Sequence, residues 1–263
     1  SDGVRTFIYL NLIMKPRMLI RRLLHTFYRM DHIYLLLAEF KRTYKGPFTI
    51  LEFGVADGYA FTKKLYATRY LGMEDKVVVH GFDSFEGMPE TQDQRDKSSV
   101  AGTDWKPGQF AASYEGLRNY CASKYSNWRL HKGYFENTLT ADLLQEFSHN
   151  KPMLVWIDCD YYTSARTVME RLIPYLPTGC VVYFDEYEFN FGSRFTGEAR
   201  LVHEINNGQF GDGIELVLDR ELSMDLSRCY RFINVNASTQ LERHRELEQV
   251  WSMRKRGNDS PLP

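Results

Sequence analysis

Short apolar runs separated by amphipathic stretches organise this chain, the alternation of an α/β domain. Phe48–Phe53 is an apolar, β-branched run. It passes into EFGVADGYAFTKKLY, whose last part repeats at every third and fourth position, so the sequence predicts strand, glycine turn, helix. Val77–Phe82 is a second such run, and others begin near residues 128, 153 and 180. Further on, Ile214–Leu218 and Cys229–Val235 are joined by a short charged connection, which suggests an antiparallel final hairpin. The pattern predicts a seven-stranded, mostly parallel sheet with an antiparallel last strand and helices on both faces.

Outside that frame lie three segments. Lys15–Arg29 carries five basic residues, no acid, and interleaved Met18, Leu19, Ile20, Leu23, Leu24 and Phe27. This basic amphipathic helix pattern fits a lid, a packing element or an oligomer contact, and also fits a membrane surface. A second helix runs from Asp31 to about Tyr44 and stops at Gly46-Pro47. Met88–Gly108 is polar and too long for a plain connector, as lids and acceptor-binding segments often are. Gln240–Arg256 is charged and helix-prone. The division expected is 1–45 as a helical lid or packing segment, 46–237 as the main domain and 238–263 as a charged tail.

Composition narrows the class. With 263 residues, a net charge of −1 and a pI near 6.7, the chain fits one α/β domain and carries no global field directed at nucleic acid. A small-molecule partner is expected. The four cysteines, Cys121, Cys159, Cys180 and Cys229, lack CxxC or zinc-type spacing and read as reduced core thiols. No apolar stretch reaches the roughly 18 residues of a membrane span. A secretory signal pattern is missing too, so a cytoplasmic setting is the expectation.

Two acidic pairs carry the chemistry. Asp158 and Asp160 follow one apolar run, Asp185 and Glu186 the next. A strand, its crossover helix and the next strand take about thirty residues, so the pairs would meet at the C-terminal edges of neighbouring strands, where α/β sheets bind ligands. Four crowded carboxylates repel one another, and a hard divalent cation relieves this. The reading is a magnesium-type site. The turn at Gly54 and Gly58 opens a helix N-terminus suited to a nucleotide-like ligand. Asp83 ends the second strand, where Rossmann-type sites hold a ribose. Glu52 and Asp57 flank the turn; they would repel a pyrophosphate but attract the cationic amino and sulfonium groups of S-adenosylmethionine. That favours a methyl donor over NAD.

At this point the residues resemble a known family. The segments ILEFGVADGYAFT, GFDSFEGMPE, LHKGYFENTL and IDCDYYTSARTVMERLIPYLPTGCVVYFDEY together resemble the macrocin O-methyltransferase-like family, a class I, Rossmann-like methyltransferase group, from Ile50 to about His203. The resemblance implies that Glu52, Gly54, Ala56 and Tyr59 hold the methionine part of the donor and that Asp83 binds its ribose. Ser84 and Phe85 would wall the adenosine, and Gly133, Tyr134 and Phe135 would flank the adenine. It further implies Asp158, Asp185 and Glu186 as ligands of Mg2+, Asp160 as general base, and a sugar hydroxyl on a natural product or glycan as acceptor. Relatives often carry Asp-Asp where this chain has Asp185-Glu186.

Several readings compete. Asp158 and Asp160 could merely cap the helix that begins near Thr163, and Asp83 could be a turn former. The domain could transfer methyl groups without a metal, or keep the fold as a noncatalytic membrane-surface or assembly protein. Trp105 could stack on a sugar with Asp104 or Lys106 beside it. Tyr161 and Tyr162 fit packing at a strand end better than a pocket wall. His80, His131 and His203 sit in apolar surroundings and read as core residues rather than bases.

Overall fold

The computed structural model describes residues 2–17, 19–20, 28–97, 105–220, 222–223, 226–236 and 241–244. The seven strands are β1 (Phe48–Phe53), β2 (Val77–Asp83), β3 (Trp128–Lys132), β4 (Lys151–Ile157), β5 (Val181–Phe184), β6 (Ile214–Asp219) and β7 (Arg228–Asn234). They form one sheet in the order β3-β2-β1-β4-β5-β7-β6. The first five are parallel, and β7 runs antiparallel to both β5 and β6. This is the sheet predicted from the sequence.

Every residue of β1 and β5 is buried, because both faces are covered. On one face lie α2 (Tyr28–Thr43), α3 (Tyr59–Tyr70) and α4 (Tyr114–Lys124), packed through Leu37, Phe40, Phe61, Leu65 and Leu117 against Ile50, Val79, Leu154, Trp156 and Tyr183. On the other lie α7 (Tyr162–Leu172) and α8 (Gly197–Asn206), with the short α5 (Phe135–Thr138) and α6 (Ala141–Glu146), against Leu51, Phe53, Phe82, Val155, Ile157, Val182 and Phe184. Alternate residues of one strand thus serve opposite layers.

The chain runs outward from β1 through β2 to β3, then returns to place β4 on the other side of β1. That reversal opens a crevice at the carboxyl ends of β1 and β4, the usual ligand position in open α/β sheets.

Part of the N-terminal basic stretch lies outside the described residues. Before it, α1 (Asp2–Ile8) leads into a π-helical segment, Tyr9–Met14, and Phe7, Leu12 and Ile13 are exposed. At the other end Leu241–His244 is extended rather than helical. Its backbone pairs with the end of α2, Lys45 N–H donating to Glu242 O at 2.8 Å and His244 N–H to Thr43 O at 3.1 Å, while Leu241 is buried in the core. Burial of that leucine and these backbone bonds outweigh local helix propensity. The rest of the tail is outside the described residues. No helix among the described residues is long and apolar enough to cross a membrane.

Candidate active site

A cavity of about 550 Å³ occupies the β1/β4 crevice. The turn after β1 forms one wall. Gly54 has φ +90°, and a Cβ there would lie 1.7 Å from the carbonyl oxygen of Asp158, so only glycine lets the ends of β1 and β4 come together. Gly58, at φ +85°, is the N-cap of α3 and provides no side-chain cap, leaving the helix N-terminus with amides for a ligand.

Of the residues expected to hold the donor, Glu52, Gly54, Ala56, Tyr59, Asp83, Ser84, Gly133, Tyr134 and Phe135 all line the cavity. Phe85 does not. It is buried, edge-on to Tyr114 at 5.2 Å. Asp83 ends β2 and accepts from the amides of Val55 and Ala56 at 2.7 and 2.9 Å through Oδ2 and from Phe85 N–H at 2.6 Å through Oδ1. It therefore organises the β1 turn, the turn-forming reading, while facing the cavity with acceptor capacity to spare.

Glu52 departs from the expectation of a free negative charge. Its carboxylate meets Lys64 Nζ at 2.7 Å, and both side chains are fully buried. Lys64 was not singled out from the sequence, although it falls on the inward stripe of α3 with Ala60, Phe61, Leu65, Ala67 and Thr68. A lysine on an apolar helix face was the legible signal.

The acidic pairs converge as their spacing predicted. Asp158, Asp185 and Glu186 each offer a carboxylate oxygen, and these atoms lie within 4.8 Å of one another. Backbone bonds extend the sheet to them: Asp158 N–H donates to Phe53 O at 2.9 Å and Asp185 N–H to Ile157 O at 3.0 Å. Asp158, Asp160 and Glu186 face the cavity, with Asp185 buried at its edge. Asp160 lies past the end of β4 with φ +60°, in a three-residue turn closed by Tyr161 N–H to Cys159 O at 2.6 Å. A non-glycine residue at the centre of such a turn is strained, a conformation concentrated at functional sites.

A fifth carboxylate joins them. Glu198, in the first turn of α8, is 1% exposed; its Oε2 accepts from Glu186 N–H at 3.1 Å. Burial, then Asp185, Asp160 and Asp158, hold its pKa well above the usual carboxylate range. Burial raises Glu186 in the same way, with Asp158, Asp160, Asp185 and Glu198 adding to it. Glu186 Oε2 and Glu198 Oε1 are enclosed and make no hydrogen bond. Buried carboxylate oxygens without donors, inside a carboxylate cluster, are what a hard cation satisfies, so these residues fit a divalent ion. From sequence Glu198 looks like an ordinary first-turn acid.

The start of α7 is capped by Asp96, from the insertion: its Oδ1 accepts from Thr163 N–H at 2.8 Å, and its Oδ2 from the hydroxyls of Thr163 and Thr91 at 2.8 and 2.7 Å. The insertion is closed at its base by Met88 N–H to Gln109 O and Gly108 N–H to Met88 O, both 2.8 Å. Thr196 binds Arg95 O and Lys97 O at 2.8 and 3.0 Å. Trp105 lines the cavity, stacked on Phe189 at 5.3 Å. Asp104 lies outside the described residues. Tyr161 and Tyr162 are buried away from the cavity, Tyr162 donating to Glu204 at 2.5 Å. His80 and His131 face each other at 3.0 Å between ring nitrogens, away from the acids.

A family profile described as a methyltransferase domain matches residues 51–187, just over half of the chain. The chain belongs to this methyltransferase family. Solved structures share the methyltransferase's fold. The calicheamicin methyltransferase CalS11 superposes with a TM-score of 0.57 at 22% identity, over 77% of this chain and 76% of that one. The O-methyltransferase NovP gives 0.57 at 21%, over 78% and 79%. The apo form of CalS11, a TDP-rhamnose 3′-O-methyltransferase, gives 0.52 at 20%, over 77% and 76%. No curated protein matches the chain significantly. The seven-stranded sheet is that of the S-adenosylmethionine-dependent methyltransferases, and the resemblance read from the motifs is borne out at the level of family and fold.

Proposed function

We propose that this methyltransferase moves a methyl group from S-adenosylmethionine to a hydroxyl of a sugar or other vicinal diol, in natural-product or glycan biosynthesis, with Mg2+ held beside the acceptor. The observation that carries the reading is the trio Asp158, Asp185 and Glu186 within 4.8 Å at the cavity edge, with an orphaned buried oxygen on Glu186. Similarity to NovP and CalS11 in fold supports the same direction.

Asp158, Asp185 and Glu186 would hold the cation, which when bound supplies a fixed positive charge favouring ionisation of a nearby hydroxyl. The donor would lie along the turn from Gly54 to Tyr59, its ribose at Asp83, with Ser84 beside the adenosine and Gly133, Tyr134 and Phe135 flanking the adenine. Methyl transfer from a sulfonium is an in-line displacement, so alignment is the main demand. The acceptor hydroxyl gives its proton to Asp160 as its oxygen takes the methyl group, the methyl–sulfur bond breaks and S-adenosylhomocysteine leaves. Trp105 supplies a flat apolar surface for the sugar ring. The segment 1–45 acts as a lid or packing element, on a main domain of 46–237 followed by the tail 238–263. Four free, buried cysteines support a cytoplasmic setting.

The test is calorimetric titration with S-adenosylmethionine, with NAD as control, followed by methyl transfer to glycosylated acceptors with EDTA or Mg2+. Binding of the former alone, and activity lost in EDTA and restored by Mg2+, are expected. NAD binding, or full activity in EDTA, overturns the donor or the metal assignment respectively.

A further inference from the structure

A line of contacts runs beneath the cavity on the face covered by α2–α4. Cross-strand register puts Glu52, Trp156 and Tyr183 side by side on β1, β4 and β5. Lys64 reaches this row from α3, 2.7 Å from Glu52 Oε2 and 3.8 Å from the centre of the Trp156 ring. The Trp156 and Tyr183 rings stack at 3.6 Å with 17° between their planes. Two residues further along each strand, on the same face, stand the two aspartates of the acidic trio. Trp156 Nε1–H donates to Asp158 Oδ2 at 3.3 Å, and the Tyr183 hydroxyl donates to Asp185 Oδ1.

Each aspartate is thus gripped by the aromatic ring two residues behind it. A hydrogen bond to one carboxylate oxygen fixes which lone pairs face a cation, and such partners set metal affinity. The ammonium over the Trp156 face draws density from the ring and strengthens its N–H as a donor. A buried lysine paired with a buried glutamate is no gain in stability over apolar residues of the same size, which points to another use for it. Glu52, the far end of this line, lines the cavity.

We propose that Trp156, Tyr183 and Lys64 are positioning residues of the cation site: the stacked pair orients Asp158 and Asp185, and Lys64 ties that pair to Glu52, so that donor and cation bind cooperatively. The proposal rests on the cation reading above.

The experiment is titration of the full chain with Mn2+, the free ion followed by electron paramagnetic resonance, with and without S-adenosylhomocysteine. Wild type is expected to bind Mn2+ with an affinity that S-adenosylhomocysteine changes severalfold. Trp156→Phe and Tyr183→Phe keep the stack but lose the donors, and each should weaken Mn2+ binding about tenfold. The double variant Glu52→Gln/Lys64→Met removes both buried charges at once, leaving neither ion unpaired. It should melt near wild type, bind Mn2+ about tenfold more weakly, and lose the effect of S-adenosylhomocysteine. Tyr162→Phe, which loses a buried hydroxyl–carboxylate bond elsewhere, should lose stability while its Mn2+ affinity stays within about twofold. Folded Trp156→Phe and Tyr183→Phe proteins with wild-type affinity overturn the proposal. Coupling that survives in the double variant removes Lys64 from it. Failure of wild type to bind Mn2+ at all overturns the cation reading, and this inference with it.

Discussion

Gly54 and Asp158 meet across the β1/β4 seam so closely that a Cβ on the glycine would sit 1.7 Å from the aspartate's carbonyl oxygen. The contact joins the expected donor turn to the first of the acidic residues. Gly54→Ala must either push the strands apart or leave its φ of +90°, so a loss of about 2–5 kcal/mol in urea unfolding is expected. Binding of S-adenosylmethionine should fall with it. A variant that unfolds and binds like wild type would show that the seam yields.

Glu198→Gln should act in opposite directions on two measurements. It removes a buried acid from among like charges, so the melting temperature in EDTA should rise. The same change takes charge from the cluster and should weaken Mg2+ binding about tenfold by calorimetry. Lower stability in EDTA with unchanged Mg2+ affinity would make Glu198 a packing residue only.

Asp96→Ala strips two hydrogen bonds from the start of α7 and a third, to Thr91, from within the insertion. A cap of this kind is worth about 1–2 kcal/mol. Urea unfolding should report that loss, and limited proteolysis should cut the insertion faster. Asp96→Asn should recover part of both.

Acid should destabilise the fold through the histidine pair. Burial pulls His80 down to about 3, with His131 and Arg129 adding to it, and burial pulls His131 down to about 4. In the unfolded chain both titrate near 6.5. Between those values the unfolded state binds more protons, so stability is complete above about pH 6.5 and is lost as the pH falls towards 4 and 3. The melting temperature should fall over that window, and His131→Gln should flatten the slope.

Trp105→Ala should raise the KM for a glycosylated acceptor about tenfold and leave calorimetric binding of S-adenosylmethionine unchanged. Loss of donor binding instead would place the ring against the adenosine.

The sheet was legible because strands and helices leave different periods, and the hairpin because its connection is short. The acidic trio could be read because its members follow consecutive strands that became neighbours. Lys64, Trp156 and Glu198 could not, since their meaning depends on register between strands and on where α3 and α8 land. The cap from Asp96 comes from a segment that reads only as a long polar loop. From the sequence Glu52 reads as a charge offered to the donor's cationic groups, because its partner Lys64 lies on a helix twelve residues later.

The β1–β4 seam also sets the order in which this protein becomes competent. Pairing joins Phe48 to Lys151, roughly one hundred residues apart. Contacts this distant close slowly, because the intervening chain must be ordered first. A nascent chain that has released β1 to β3 therefore has a donor turn with its far wall missing. Ligand capture begins only once Ile157 and the residues after it have emerged, so fragments ending earlier should gain no protection from S-adenosylmethionine against proteolysis.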